Sequence, residues 1–216
     1  MEEYFDVYKP TSEASGLIKP KSEVHKNGYW HKSFHCWIIY TDSKGEDYIL
    51  LQQRDPFVKS WPGKFDTSAA GHYMAGEGIE GGLRELKEEL GIMVTEADLI
   101  PLGLRVCVNE FDPASLNYEF QDVYFLVDRR SLLDYSMALG EVAGLVAVPV
   151  QEGIALFTDE LEKISAPGLR LNPNGAVEPT IFDIIKTDFV PSLDNFYLKI
   201  MILAERALRG EKHLYI

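Results

Sequence analysis

Between Glu80 and Leu90 the chain repeats both leucines and glutamates at helical spacing, and few structures satisfy both sets at once. Leu83, Leu86 and Leu90 recur three and four residues apart, so one face of a helix points to a core. Gly91 stands where a helix C-terminal glycine belongs. Glu85, Glu88 and Glu89 fall at i, i+3 and i+4, which gathers their carboxylates on one side. Like charges so placed cost about a few tenths of a kcal/mol per pair. Such a cluster is either a solvated surface or a metal site. Arg84 favours the second, because its planar fork can order a carboxylate by a bidentate contact. So does the glycine-studded run Gly71–Gly82, whose backbone can approach a hard cation closely. Oxygen ligands alone suit Mg2+ or Mn2+ rather than Zn2+.

Around this helix the pattern alternates between strands and turns. Ser33–Ile39 and Asp47–Gln53 are β-branched and aromatic, and Asp42-Ser43-Lys44-Gly45 between them predicts a hairpin. A loop follows from Arg54 to Lys64, then a short strand over Phe65–Ala70. Further strands are expected near Leu102–Val108, Asp122–Val127 and Leu145–Pro149, and a helix near Glu152–Lys163. Ala166–Pro179, rich in Pro, Gly and Asn, reads as a surface loop. Leu193–Arg209 carries Phe196, Ile200, Leu203, Ala204 and Ala207 along one side of an amphipathic helix. Residues 1–33, punctuated by Pro10, Gly16, Pro20 and Gly28, read as an N-terminal extension packing on a domain of residues 34–216. The whole predicts an α+β fold, with one mixed β-sheet sandwiched between α-helices.

A formal charge of −13 argues against a nucleic-acid partner, whose phosphate backbone requires a basic face. A small polyphosphate remains compatible, provided that divalent cations or a few local lysines and arginines meet its charge. There is no run of 18 apolar residues to cross a membrane, and the acidic Met1-Glu2-Glu3 start is unlike a signal peptide. The expectation is a cytoplasmic protein with Cys36 and Cys107 as buried, reduced thiols. The N-terminal extension or the C-terminal helix offers a face for a homodimer.

The segment from Gly71 to Ile92 resembles the Nudix box, G-x5-E-x7-R-E-U-x-E-E-x-G-U with U aliphatic. Gly71 and Glu77 match at the proper spacing, as do Arg84, Glu85, Leu86, Glu88, Glu89, Gly91 and Ile92. The departure lies between Glu77 and Arg84, where six residues stand in place of seven. The resemblance implies a hydrolase that cleaves a diphosphate linkage by metal-assisted attack of water on phosphorus. It implies Glu85, Glu88 and Glu89 as metal ligands, the Gly71 carbonyl as another, and Arg84 as the residue that orients a glutamate.

Over roughly residues 4–150 the chain also resembles isopentenyl-diphosphate isomerase, a branch of the same superfamily. The shared features are Lys21 to His25, His31, the Arg54…Lys59…Trp61-Pro62-Gly63 loop and Gly71-His72. This resemblance implies a metal held by His25, His31 and His72, proton transfer by Glu119, and diphosphate contacts from Lys21, Arg54 and Lys59. Two departures weigh against isomerase chemistry. Ala70 stands where the isomerase has a cysteine, and Asn117 stands where it has a further acidic ligand. Hydrolysis is therefore expected, with isomerase-like chemistry or a non-catalytic diphosphate sensor as the rival readings. Glu119 ranks ahead of Glu141 and Asp122 as the general base. His35 reads as a packed strand residue, His213 as solvated, and the plain alternative for the basic residues is scattered surface charge.

Overall fold

The computed structural model describes residues 2–112 and 115–216. β1 (Tyr4–Tyr8) and β2 (Ala14–Pro20) form an antiparallel hairpin, followed by α1 (Lys21–Asn27). Gly28 ends α1 in the left-handed region, at φ +63°, with its N–H on the Val24 carbonyl. β3 (His31–Thr41) and β4 (Asp47–Arg54) make the expected hairpin, with Ile38 opposite Leu50. β5 (Phe65–Asp66) and β6 (Ala69–His72) then lead into α2 (Ile79–Leu90). β7 (Leu99–Asp112) and β8 (Ser115–Val127) are antiparallel to each other, and β8 runs parallel beside β3. β9 (Val142–Pro149), α3 (Val150–Phe157), β10 (Ile164–Leu171), β11 (Val177–Ile184) and α4 (Phe196–Leu208) complete the order. Among the described residues the main sheet runs β11-β10-β9-β4-β3-β8-β7, with β5 beside β4 and β6 beside β3.

The period of two along β3 divides the interior. Phe34, Cys36 and Ile38 face Leu86 and Leu90 of α2. Trp37 and Ile39 face the other way, into a core with Leu156 of α3 and with Phe196, Ile200 and Met201 of α4. The sheet is thus sandwiched between helices, as the sequence predicts. The two thiols are separated by it: Cys36 packs on the α2 side, whereas Cys107 lies opposite Glu119 on the other face. Phe5, Val7 and Val24 form a small third core under the N-terminal hairpin.

Two expectations need correction. Ala166–Pro179 is not a surface loop but most of a β-hairpin, β10 and β11, in continuous register from Ile164–Ile184 to Leu171–Val177. The loop-like residues have local reasons. Asn172 and Gly175 build the connecting turn, where the Asn172 N–H donates to the Ala176 carbonyl and Gly175 takes φ +83°. Pro167 lies outside the β9–β10 ladder, which spans only Gly168–Arg170. The helix expected near Glu152–Lys163 begins earlier, at Val150, and ends at Phe157. Its last turn closes where the Thr158 hydroxyl donates to the Ile154 carbonyl.

α2 lies close on the sheet because its first turn carries no side chain there. A Cβ on Gly82 would stand 2.2 Å from the Phe34 ring. Gly82→Ala should therefore destabilise the protein by roughly 1–3 kcal/mol, read from chemical denaturation midpoints. A neutral substitution would mean that α2 can back away from β3 freely.

Candidate active site

α2 presents its three glutamates at graded depth. Glu89 is buried, and its Oε2 accepts the Ala70 N–H at 3.1 Å and the Gln52 amide at 3.4 Å. Glu85 packs over Gly71, where a Cβ would stand 2.1 Å from the Glu85 Cδ. Glu88 is the outermost, with its side chain 57% exposed. Arg84 spans the group: Nη1 donates to Glu85 at 2.8 Å and Glu88 at 3.0 Å, and Nη2 donates to Glu77 at 3.1 Å. Glu77 also accepts the Met74 N–H at 2.9 Å, so the shortened link still brings Glu77 to Arg84. Gly81 makes this possible, because a Cβ there would stand 2.5 Å from the Glu77 carboxylate.

These carboxylates are expensive to ionise in place. Burial pushes Glu85 up to about 7, against the attraction of Arg84. Burial raises Glu89 well above the ordinary carboxylate range, and Glu85 and Glu141 add like-charge repulsion. Such a set fits a divalent cation, whose charge reverses the penalty and whose preference for oxygen donors matches the side chains.

A second donor group lies across β6. His25 of α1, His31 of β3 and His72 of β6 offer ring nitrogens all within 4.8 Å of one another. His31 Nδ1 donates to the Tyr29 carbonyl at 2.9 Å, which orients the ring and turns Nε2 toward Glu119. His31 Nε2 and His25 Nδ1 are buried without hydrogen-bond partners. Burial lowers His25 to about 4 and also lowers His72, so both rings are neutral near pH 7. Glu119 of β8 approaches this cluster, with Oε1 3.1 Å from His72 Nε2 and 3.7 Å from His31 Nε2. Burial works against the charge on Glu119, but His31 and His72 outweigh it and hold the group well below the usual range. The unpartnered ring nitrogens of His25 and His31, with His72 and the Glu119 carboxylate beside them, fit a metal ion.

The basic residues are not gathered in the same way. Arg54 is committed to its own loop, donating to the Ser60 carbonyl at 2.9 Å and the Ser60 hydroxyl at 2.8 Å. Lys21 pairs with Glu3 at 2.6 Å, Lys64 reaches the Thr187 carbonyl, and Lys59 is exposed. Of the candidate bases, Glu119 sits with the histidines, while Glu141 repels Glu85 and Glu89 electrostatically. Asp122 lies elsewhere, 3.8 Å from Lys32. His35 is partly buried, with its Nε2 4.0 Å from Glu119.

Several residues at the site carry no signal in the sequence. Phe5 stacks on His72 at 4.8 Å and on His31 at 5.5 Å, closing the cluster with an apolar ring. Asp6 accepts the Gly76 N–H at 2.8 Å and the Tyr4 carbonyl accepts the Ala75 N–H at 2.7 Å, so β1 clamps the glycine-rich loop. Gln121 and Arg105 stand behind Glu119. Only a distance in three dimensions reveals any of these.

Comparison with known proteins identifies the family. The family model described as the NUDIX domain matches residues 31–166. An uncharacterized Nudix hydrolase of Clostridium acetobutylicum is 34% identical over 94% of this chain and 97% of its own length. Nudix hydrolase 3 of Arabidopsis thaliana is 34% identical over 86% of this chain, which spans 23% of that longer protein. An isopentenyl-diphosphate Delta-isomerase of Paenarthrobacter aurescens is 36% identical over 38% of this chain and 43% of its own. The crystal structure of DR0079 from Deinococcus radiodurans shares the fold, with a TM-score of 0.55 and 20% identity over 73% of this chain and 90% of that one. Since the matched segment takes in both β6 and α2, and one relative is alike from end to end, the chain belongs to the Nudix hydrolase family.

Proposed function

We propose that this protein is a Mg2+-dependent pyrophosphohydrolase acting on a small organic or nucleoside diphosphate derivative. The observation that carries the reading is the graded set Glu85, Glu88 and Glu89, the first two bridged by Arg84 and the third buried on the Ala70 N–H. Mg2+, or Mn2+, bound there with the Gly71 carbonyl would screen the diphosphate and lower the pKa of a bound water. Arg84 orients Glu85 and Glu88, and Glu89 is fixed by the Ala70 N–H. Glu141, whose charge acts on both Glu85 and Glu89, is then favoured over Glu119 to take a proton from the attacking water. His25, His31, His72 and Glu119 would hold a second ion of transition-metal type beside the same substrate. Lys21, Arg54 and Lys59 are the side chains for the diphosphate oxygens; Lys21 must leave Glu3 to reach them.

Isomerase chemistry is disfavoured by the thiols. Position 70 is an alanine, and Cys107, although opposite Glu119, is a weak acid that burial pushes up to about 12. A purely sensing role is disfavoured by the cost of retaining three mutually repelling carboxylates.

Phosphate release should be followed over a panel of dinucleotide polyphosphates, nucleotide sugars, nucleoside diphosphates and isopentenyl diphosphate with Mg2+. Glu88→Gln and Glu89→Gln should each lower turnover about 100-fold or more. Tight binding of one panel member by the wild type without turnover would favour the sensor and sink the hydrolase reading.

The raised carboxylates also predict a pH dependence for the metal-free protein. With a folded value of about 7 against an ordinary 4.5, Glu85 binds more protons folded than unfolded between those limits. Stability is therefore greatest at the acid end of that window and falls as pH rises through about 7. Glu85→Gln should flatten this slope, gaining roughly 1–3 kcal/mol over wild type near pH 8. Denaturation in EDTA across the window checks this; parallel slopes for the two proteins would refute it.

A further inference from the structure

Behind the histidine cluster a line of hydrogen bonds runs across the sheet to the C-terminal helix. Glu119 and Gln121 are two apart on β8 and share a face, and Arg105 on β7 lies directly opposite Gln121. An arginine has donors only. Arg105 Nη1 donates to Gln121 Oε1 at 2.8 Å, and that contact decides which way the amide faces. Its nitrogen end is left to Glu119, where Nε2 donates to Oε2 at 2.7 Å. With Oε2 so engaged, Oε1 is the oxygen turned to His72 and His31.

Arg105 is itself fixed from the far side. Nη2 donates to the Ser192 hydroxyl at 2.7 Å and to Asp194 at 2.8 Å, and the guanidinium lies 3.7 Å from the centre of the Phe196 ring. Glu119 and Gln121 are 5% and 3% exposed, so bulk water does not compete for these bonds. Among the described residues no hydrogen bond joins Arg105 or Gln121 to His25, His31 or His72. Their effect on the cluster passes through one carboxylate.

We propose that Gln121, held by Arg105, is a positioning residue that turns Glu119 Oε1 toward His31 and His72 and so sets the geometry in which the cluster binds a transition-metal ion. This rests on the reading of the histidine cluster as a metal site given above.

The test is a cobalt titration of the full-length, metal-free protein, followed by visible absorption. Wild type and His31→Gln define the band that belongs to the cluster. Gln121→Leu removes the donor to Glu119, and Gln121→Glu, nearly the same shape, sets a carboxylate oxygen against it. Both should weaken Co2+ binding by about 10–100-fold and change the shape of the band. Thermal melts show which variants fold, and Gln121→Glu carries the test if the leucine protein does not. A folded variant with wild-type affinity and spectrum overturns the positioning role and leaves the metal site standing. A wild-type band that His31→Gln leaves unchanged overturns the metal site, and the positioning role with it.

Discussion

The hydrogen bond from the Ala70 N–H to the buried carboxylate of Glu89 joins α2 to β6, and the rest of the site is arranged around that joint. A carboxylate so deep costs several kcal/mol unless its oxygens find donors. Glu89 has two, and the second, from Gln52, is long at 3.4 Å. The approach that buries it depends on missing side chains: Gly71 makes room for Glu85, and Gly82 makes room for Phe34. The folded chain accepts this unfavourable electrostatics at one spot while satisfying its strands and helices elsewhere, which is how functional sites commonly depart from the most stable arrangement.

β6 also explains why the two donor groups lie so near each other. Adjacent strand residues point to opposite faces. Gly71 therefore faces α2 and its glutamates, while His72, the next residue, faces Glu119 across the sheet. A four-residue strand carries the oxygen-rich group on one side and the nitrogen-rich group on the other. The N-terminal hairpin completes both halves, since Asp6 holds the loop after β6 and Phe5 stacks on His31 and His72.

What the sequence made legible was local. The leucine and glutamate spacing identified α2 and its polar face, because both follow from the geometry of a single helix. The β3–β4 hairpin was legible for the same reason. β10 and β11 were not, because Asn172 and Gly175 serve the tight turn between them, while Gly168 answers a long-range constraint. A Cβ on Gly168 would stand 2.2 Å from the Leu145 carbonyl, a partner twenty-three residues away. The histidines emerged through family resemblance rather than spacing, since α1, β3 and β6 bring them together only after folding. Arg54 is a different case. The resemblance implies a diphosphate contact for it, and the fold engages two of its donors with Ser60 in the same loop.

The disposition of charge bears on how such an acidic protein could hold a diphosphate. Arg84 donates four hydrogen bonds to Glu77, Glu85 and Glu88, and Arg54 gives two to Ser60 with Asp66 at 3.7 Å, so neither guanidinium is idle. Lys21 is different. Its ion pair with Glu3 leaves both side chains nearly half exposed, at 44% and 46%, and a pair in that setting is worth only about 0–1 kcal/mol. A phosphate oxygen could displace Glu3 at little cost, whereas dislodging Arg84 would strip three carboxylates of their partner. On the proposed reading, most of the neutralising charge must then come from bound metal ions, with Lys21 and Lys59 as adjustable contributors. A chain of net charge −13 that concentrates buried carboxylates at one site is consistent with that division of labour, because the feature that repels an anionic substrate is the same one that recruits the cations.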